Sequence, residues 1–194
     1  MNKKFVISTF ILIAAVLYFF VYSEYKRQKM NTLVHYQKSA EKIDMPGLPP
    51  DPSEAGKATV EGVDSDHDGV RDDIQRYIAL NFLDSEKQRA ALFQEAKALQ
   101  AVLKAGVTKV PKDIKSAHEA SQKSSDCLRY VIPGYEREGV YRSLESQMVN
   151  TRIRSDAYLA YDAAYSDVFG YTTEIPKDLG KQNCDGFDPD TVKN

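Results

Sequence analysis

A chain of 194 residues has room for one domain with appendages rather than two full domains. Its 26 lysines and arginines nearly balance 28 aspartates and glutamates, and no basic stripe stands out, so the charge gives no reason to expect nucleic acid as a partner. Tryptophan is missing while tyrosine occurs twelve times, which suits a modest helical core with polar-tipped aromatics.

The first residues differ from the rest. Lys3 and Lys4 precede an uncharged run from Phe5 to Tyr22, and Glu24, Lys26, Arg27 and Lys29 follow it. That length is near the lower limit for a membrane-spanning helix. It exceeds the usual hydrophobic region of a cleaved signal peptide. Aromatic residues crowd its C-terminal end, as at a membrane interface. The expectation is an uncleaved single-pass inner-membrane anchor, with cleavage after Ser23 as the alternative that would leave a soluble periplasmic protein. The two cysteines, Cys127 and Cys184, lie in no metal-binding spacing and are expected to form one disulfide, which needs an oxidising compartment. Together these features place a short tip, residues 1–4, in the cytosol and the body in the periplasm.

Residues 23–63 read as a stalk and linker. Asn31 to Ile43 can form a short helix, and Met45 to Gly56 carries four prolines, which make either a semi-rigid spacer or a loop packed on the domain. From Asp64 the pattern is helical. Ile74, Tyr77, Ile78 and Phe82 share one face of a first helix over Arg71 to Leu83. Asp84 or Ser85 caps a second, with Leu92, Ala96, Leu99 and Leu103 on one face and an end at Gly106. Pro111 opens a third, running to about Ile132. A long fourth spans Val140 to Phe169, with Gly170 as its cap. The fold class expected is mainly α: an N-terminal transmembrane helix, a proline-rich linker and a small four-helix bundle over residues 64–170. A tail, residues 171–194, would be tied back through Cys184.

The bundle is entered through "DSDHDGVRDDIQ", residues 64–75. Counted from Asp64, carboxylates fall at places one, three, five and nine: Asp64, Asp66, Asp68 and Asp72. Gly69 is sixth, where a sharp turn needs it. Like charges this close repel, so the stretch needs either a cation or full solvation. A hard cation such as calcium wants six to eight oxygens around one centre, and the alternation can turn three side chains inward. Val70 would offer its carbonyl, and Gln75 stands at the twelfth place. His67 and Arg71 are expected to point outward.

This loop resembles an EF-hand loop, and more closely the short DxDxDGxxDD loops of thrombospondin type 3-like and dockerin-like modules in exported bacterial proteins. The resemblance covers about twelve residues. It implies calcium bound through Asp64, Asp66, Asp68, Val70 and Asp72, with Gln75 in place of the closing bidentate glutamate of an EF-hand. A neutral amide there should weaken the site. The ion's expected use is structural.

Other patterns carry less. "AHEASQ", Ala117 to Gln122, lacks the second histidine of a zinc-protease helix. His118 reads as a surface residue. Tyr158, Tyr161 and Tyr165 form one helical stripe, either core packing or a candidate binding surface for an envelope protein or glycan. A calcium-stabilised envelope hydrolase is the alternative to a binding or scaffolding protein. It would require His118, Glu119 and Ser124 or Ser125 to meet in one cleft.

Overall fold

The structure, a computed structural model, describes residues 17–24, 27, 47–169 and 180–193. Residues 17–24 and 27 are helical, and Tyr18 and Tyr22 stack with ring centroids 6.2 Å apart. The remainder of the predicted anchor, residues 5–16, and nearly all of the predicted stalk up to residue 46 lie outside the described residues. Among the described residues no helix is long and apolar enough to cross a membrane.

From Gly47 onward the chain forms a separate compact unit. Its described residues contain five α-helices and no strand: α1 (Asp72–Asn81), α2 (Glu86–Thr108), α3 (Pro111–Val131), α4 (Glu136–Met148) and α5 (Arg152–Phe169). The mainly helical class stands, with one helix more than expected. The predicted long fourth helix is two. Thr151 Oγ1 accepts the Arg154 N–H at 3.4 Å, and Ser155 Oγ donates to the Val149 carbonyl at 3.0 Å. Short polar side chains thus bond the ends of both helices and outcompete a continuous backbone ladder. Apolar periodicity alone passed over this reversal.

α2 is the centre of the bundle and packs against each of the other four helices. Eleven of its 23 residues are buried, too many for one face, and most of these are small or aliphatic. Ser85 Oγ accepts the Gln88 N–H at 3.3 Å at its start. Its end is two residues later than predicted, at Thr108, with Lys109 in the left-handed region at φ 54°. Gly106 is therefore helical rather than terminal. A Cβ there would lie 1.9 Å from the Ala157 carbonyl oxygen, so the glycine is what lets the backbone of α5 approach. Leu92, Ala96, Leu99 and Leu103 join Ile74 and Ile78 of α1 and Leu128 of α3 in the main core.

The two ends of the body are fastened to this frame. Cys127 of α3 and Cys184 form the expected disulfide, with Cα atoms 4.9 Å apart. Closing a loop with a sequence separation of 57 is worth about 4 kcal/mol in the chain-entropy picture. Gln94 holds the same segment from α2, donating to the Asn183 carbonyl at 2.7 Å and accepting from the Asp185 N–H at 2.9 Å. At the other end the proline-rich stretch is a packed loop. Arg76 donates to the Pro49 carbonyl at 2.9 Å, and Gly56 is buried.

Gly106→Ala forces a methyl against backbone that cannot step aside, so α2 and α5 must separate. The expected loss of unfolding free energy in urea titration is about 2–3 kcal/mol, typical of overpacking.

Candidate metal centre

The acidic loop turns on two residues with positive φ, His67 at 60° and Gly69 at 91°. Histidine is among the side chains that tolerate the left-handed region, and glycine has no side chain to clash there. The turn points backbone N–H groups inward. Asp64 Oδ1 accepts from Asp68 N–H at 3.2 Å and its Oδ2 from Gly69 N–H at 3.0 Å. Asp72 Oδ1 accepts from Ser65 N–H at 2.9 Å, and the Asp72 N–H donates to the Val63 carbonyl at 2.8 Å.

Those bonds gather carboxylates that repel. One oxygen each of Asp64, Asp66 and Asp72 lies within 4.8 Å of the other two. Asp72 is buried and Asp64 partly so; two full charges at such a separation repel by about 3–4 kcal/mol at an effective dielectric near 20, and by less where water reaches them. Asp72 is fully buried, and its Oδ2 has no hydrogen-bond partner. A buried, unpartnered carboxylate oxygen facing two more carboxylates is costly as it stands, and a cation among them would relieve it. The donors are all oxygen, so the group that fits is a hard cation.

Asp68 stands one step away and is tied to the cluster through Gln75. The Gln75 Nε2 donates to Asp66 Oδ2 at 3.1 Å and to Asp68 Oδ2 at 3.3 Å, while its Oε1 is buried without a partner. The Gln75 bond holds the Asp66 carboxyl below its ordinary range. Burial pushes Asp68 up, the Val70 N–H pulls it back, and the charges of Asp66 and Asp64 add to the rise. A half-turn of the Gln75 amide would present Oε1 to both carboxylates, an arrangement favourable only with a cation between them. Val70 sends its side chain into the core beside Ile74 and Ile78, so core packing fixes the residue predicted to supply a carbonyl.

Arg71 does not point outward. It is 1% exposed. Its guanidinium makes two bonds to Asp73, at 2.9 and 3.1 Å, and donates to the carbonyls of Met148 and Gln147, both at 3.1 Å. These are end carbonyls of α4, which have no partner within their own helix and carry the negative end of its dipole. Asp73 is thereby committed to Arg71 and does not join the cluster of Asp64, Asp66 and Asp72.

The tyrosine stripe and His118 meet elsewhere. Tyr158, Tyr161 and Tyr165 line a cavity of about 290 Å³ with Glu95, Tyr141 and His118 among its other walls. His118 is half-buried rather than on the surface, because Tyr165 and Phe169 flank its ring, with centroids 4.7 and 5.4 Å away. Ser125 lines the same cavity, but Ser124 is buried behind it and Glu119 is exposed. Ser124 Oγ donates to the Ser121 carbonyl at 3.1 Å and Ser121 Oγ has no partner, so among the described residues no serine hydroxyl is bonded to His118. Of the residues named for a hydrolase, His118 and Ser125 line this cavity, and Glu119 and Ser124 do not.

Glu95 was missed by sequence reasoning, although it falls within the apolar stripe of Leu92, Ala96 and Leu99, where a carboxylate is out of place. It is 1% exposed. Burial pushes its carboxyl up to about 7, an effect tempered by Ser124 and reinforced by the charge of Glu145. Comparison of the chain with protein families, curated proteins and solved structures returns no match.

In the unfolded chain Glu95 titrates near its ordinary 4.5. The folded state therefore binds that proton more tightly, and the stability so gained is complete below about pH 4.5 and lost as pH rises through about 7. Denaturant titrations from about pH 5 to pH 8.5 should show wild type losing about 3 kcal/mol relative to Glu95→Gln, which carries no ionisable group. Parallel profiles for the two proteins would show that Glu95 ionises without penalty.

Proposed function

We propose that the protein is a membrane-anchored, periplasmic helical domain whose entry loop binds calcium as a structural ion, and that it serves the cell envelope by binding or scaffolding. The observation that carries the calcium reading is the convergence of one oxygen each of Asp64, Asp66 and Asp72, together with a buried Asp72 Oδ2 that has no hydrogen-bond partner. Oxygen-only ligands suit calcium better than zinc or copper, which favour nitrogen and sulfur. Asp68, the Val70 carbonyl and Gln75 would complete the shell. The ion's work is to cancel charge and lock the entry of the chain into α1.

The anchor and compartment rest on two further features. Residues 5–22 are uncharged and flanked by lysine and arginine, and the body carries a disulfide that an oxidising compartment sustains. A C-terminal fusion to a reporter enzyme that folds only in the periplasm should be active and should sediment with inner membranes. Activity confined to the cytosol would overturn the placement.

The calcium reading is tested by calorimetric titration of the full-length chain in maltoside micelles, with the disulfide intact. Saturable binding with a Kd of about 0.1–1 mM is expected, as for extracellular calcium modules, with the heat lost in Asp66→Ala. Gln75→Glu restores a charged closing ligand and should tighten binding at least about tenfold. Absence of heat up to about 10 mM calcium in both wild type and Gln75→Glu would mean the carboxylates form a solvated helix cap.

A further inference from the structure

The cavity walled by α2, α3, α4 and α5 has a chemistry that the calcium loop does not explain. Tyr141, Tyr158, Tyr161 and Tyr165 supply its aromatic surface, and Glu95 and Asp162 its charge. Behind the wall, Glu145 Oε1 accepts the hydroxyls of both Tyr141 and Tyr158, at 3.2 and 2.9 Å. Donating to a carboxylate polarises a phenol toward its ring, which makes the ring faces more attractive to a cation. Among the described residues no lysine or arginine lines this space. An anion entering it would meet carboxylates with nothing to offset them. Two polar atoms at the wall have no partner: Glu95 Oε2, in a side chain almost wholly buried, and Ser121 Oγ. Above about pH 7, where Glu95 is ionised, its oxygens can only accept, so there the missing partner is a donor. A volume of about 290 Å³ is at the lower limit for ligand pockets and suits a small molecule.

We propose that this cavity binds a small primary ammonium ion, held over the faces of Tyr141, Tyr158, Tyr161 and Tyr165 and hydrogen-bonded to Glu95, with Asp162 as a second counter-charge. Leu99 and Val102 line the same space and would take the ligand's alkyl part. Glu145 and Tyr141 from α4 and Ser124 from α3 act on Glu95, and His118 from α3 with Tyr158 and Asp162 from α5 line the same cavity. Burial holds His118 below its ordinary value, which favours the neutral ring and lessens its opposition to a cation. Burial also raises Tyr158 and Tyr161 to about 12, which keeps both as neutral phenols. Ionisation of Glu95 is the step that should sharpen binding as pH rises from about 6 to about 8.

The test is amide chemical-shift titration of the full-length chain in maltoside micelles with butylammonium, butanol and butyrate as matched probes. Butylammonium should give saturable shifts at Glu95, His118 and Ser121, with a Kd that falls severalfold from about pH 6 to about pH 8. Butanol and butyrate should bind at least about tenfold more weakly, the loss expected when a desolvated cation–aromatic contact is removed. Glu95→Gln should abolish the pH trend and weaken butylammonium about tenfold at pH 8, and Tyr165→Leu should weaken it about fivefold. Three results would each overturn the proposal: equal binding of butanol, affinity unchanged in both variants, or no saturation at these amides by about 50 mM butylammonium.

Discussion

Two guanidinium groups buried side by side organise the entrance to this domain. Arg71 and Arg154 are at most 1% exposed, and a Cβ at Gly62 would lie within 2.8 Å of atoms of both side chains. Burying one cation is expensive unless every donor is met, and burying two in the same neighbourhood compounds the demand. Arg71 has Asp73 as its partner ion. Arg154 is satisfied by neutral oxygens: Thr59 O at 3.1 Å, Val60 O at 3.3 Å, Asn150 Oδ1 at 2.7 Å, and the Gly56 carbonyl. Burial and the neighbouring charge of Arg71 both press the Arg154 pKa downward. The carbonyls of Gly56, Thr59 and Val60 are thereby committed to Arg154, which constrains the backbone of this stretch.

This constraint gives the acidic loop its context. Residues 56–62 are clamped to the start of α5 by Arg154, and Arg71 clamps the loop's far side to the end of α4. Between the clamps Val70 is sealed into the core. A cation would thus act on a loop whose ends are already set, and its contribution would be the relief of carboxylate repulsion rather than creation of the turn. With the ion about tenfold above its Kd, binding linkage adds about 1.4 kcal/mol. That is a modest increment, suited to tightening an entrance and too small to drive folding of the whole domain.

Local chemistry was the legible part. The one-three-five alternation of aspartates ending in Gly69 was enough to find the loop, and the Ser85 and Pro111 signals found the starts of α2 and α3. What escaped was set by long-range contacts. Arg71 follows the core residue Val70 and reads as a solvated side chain until the end of α4 arrives beside it, 76 residues later. Gly106 looks like a helix stop, and only the passing backbone of α5 makes it an interior residue. Asn150 and Thr151 lie between α4 and α5, yet no glycine or proline marks the break in the sequence. His118 read as a surface residue because its neighbours in sequence are polar. The rings that flank it come from α5.

α2 is the element common to both sites, and its geometry argues that they work independently. Lys97 lies along the loop, close enough that a Cβ on Gly69 would sit 3.8 Å from its Cε. Glu95, two residues earlier, faces the cavity. At about 100° per residue those side chains leave the helix on nearly opposite sides. Transmission between them would need α2 to shift or rotate between two packed arrangements. A helix with eleven buried residues, held by four neighbours and pinned by Gly106 against the α5 backbone, resists such a shift even though the cavity borders one of its faces. Charge at the loop and charge in the cavity are thus separated by a rigid, close-packed wall. Each can be tuned by its own side chains without repacking the other.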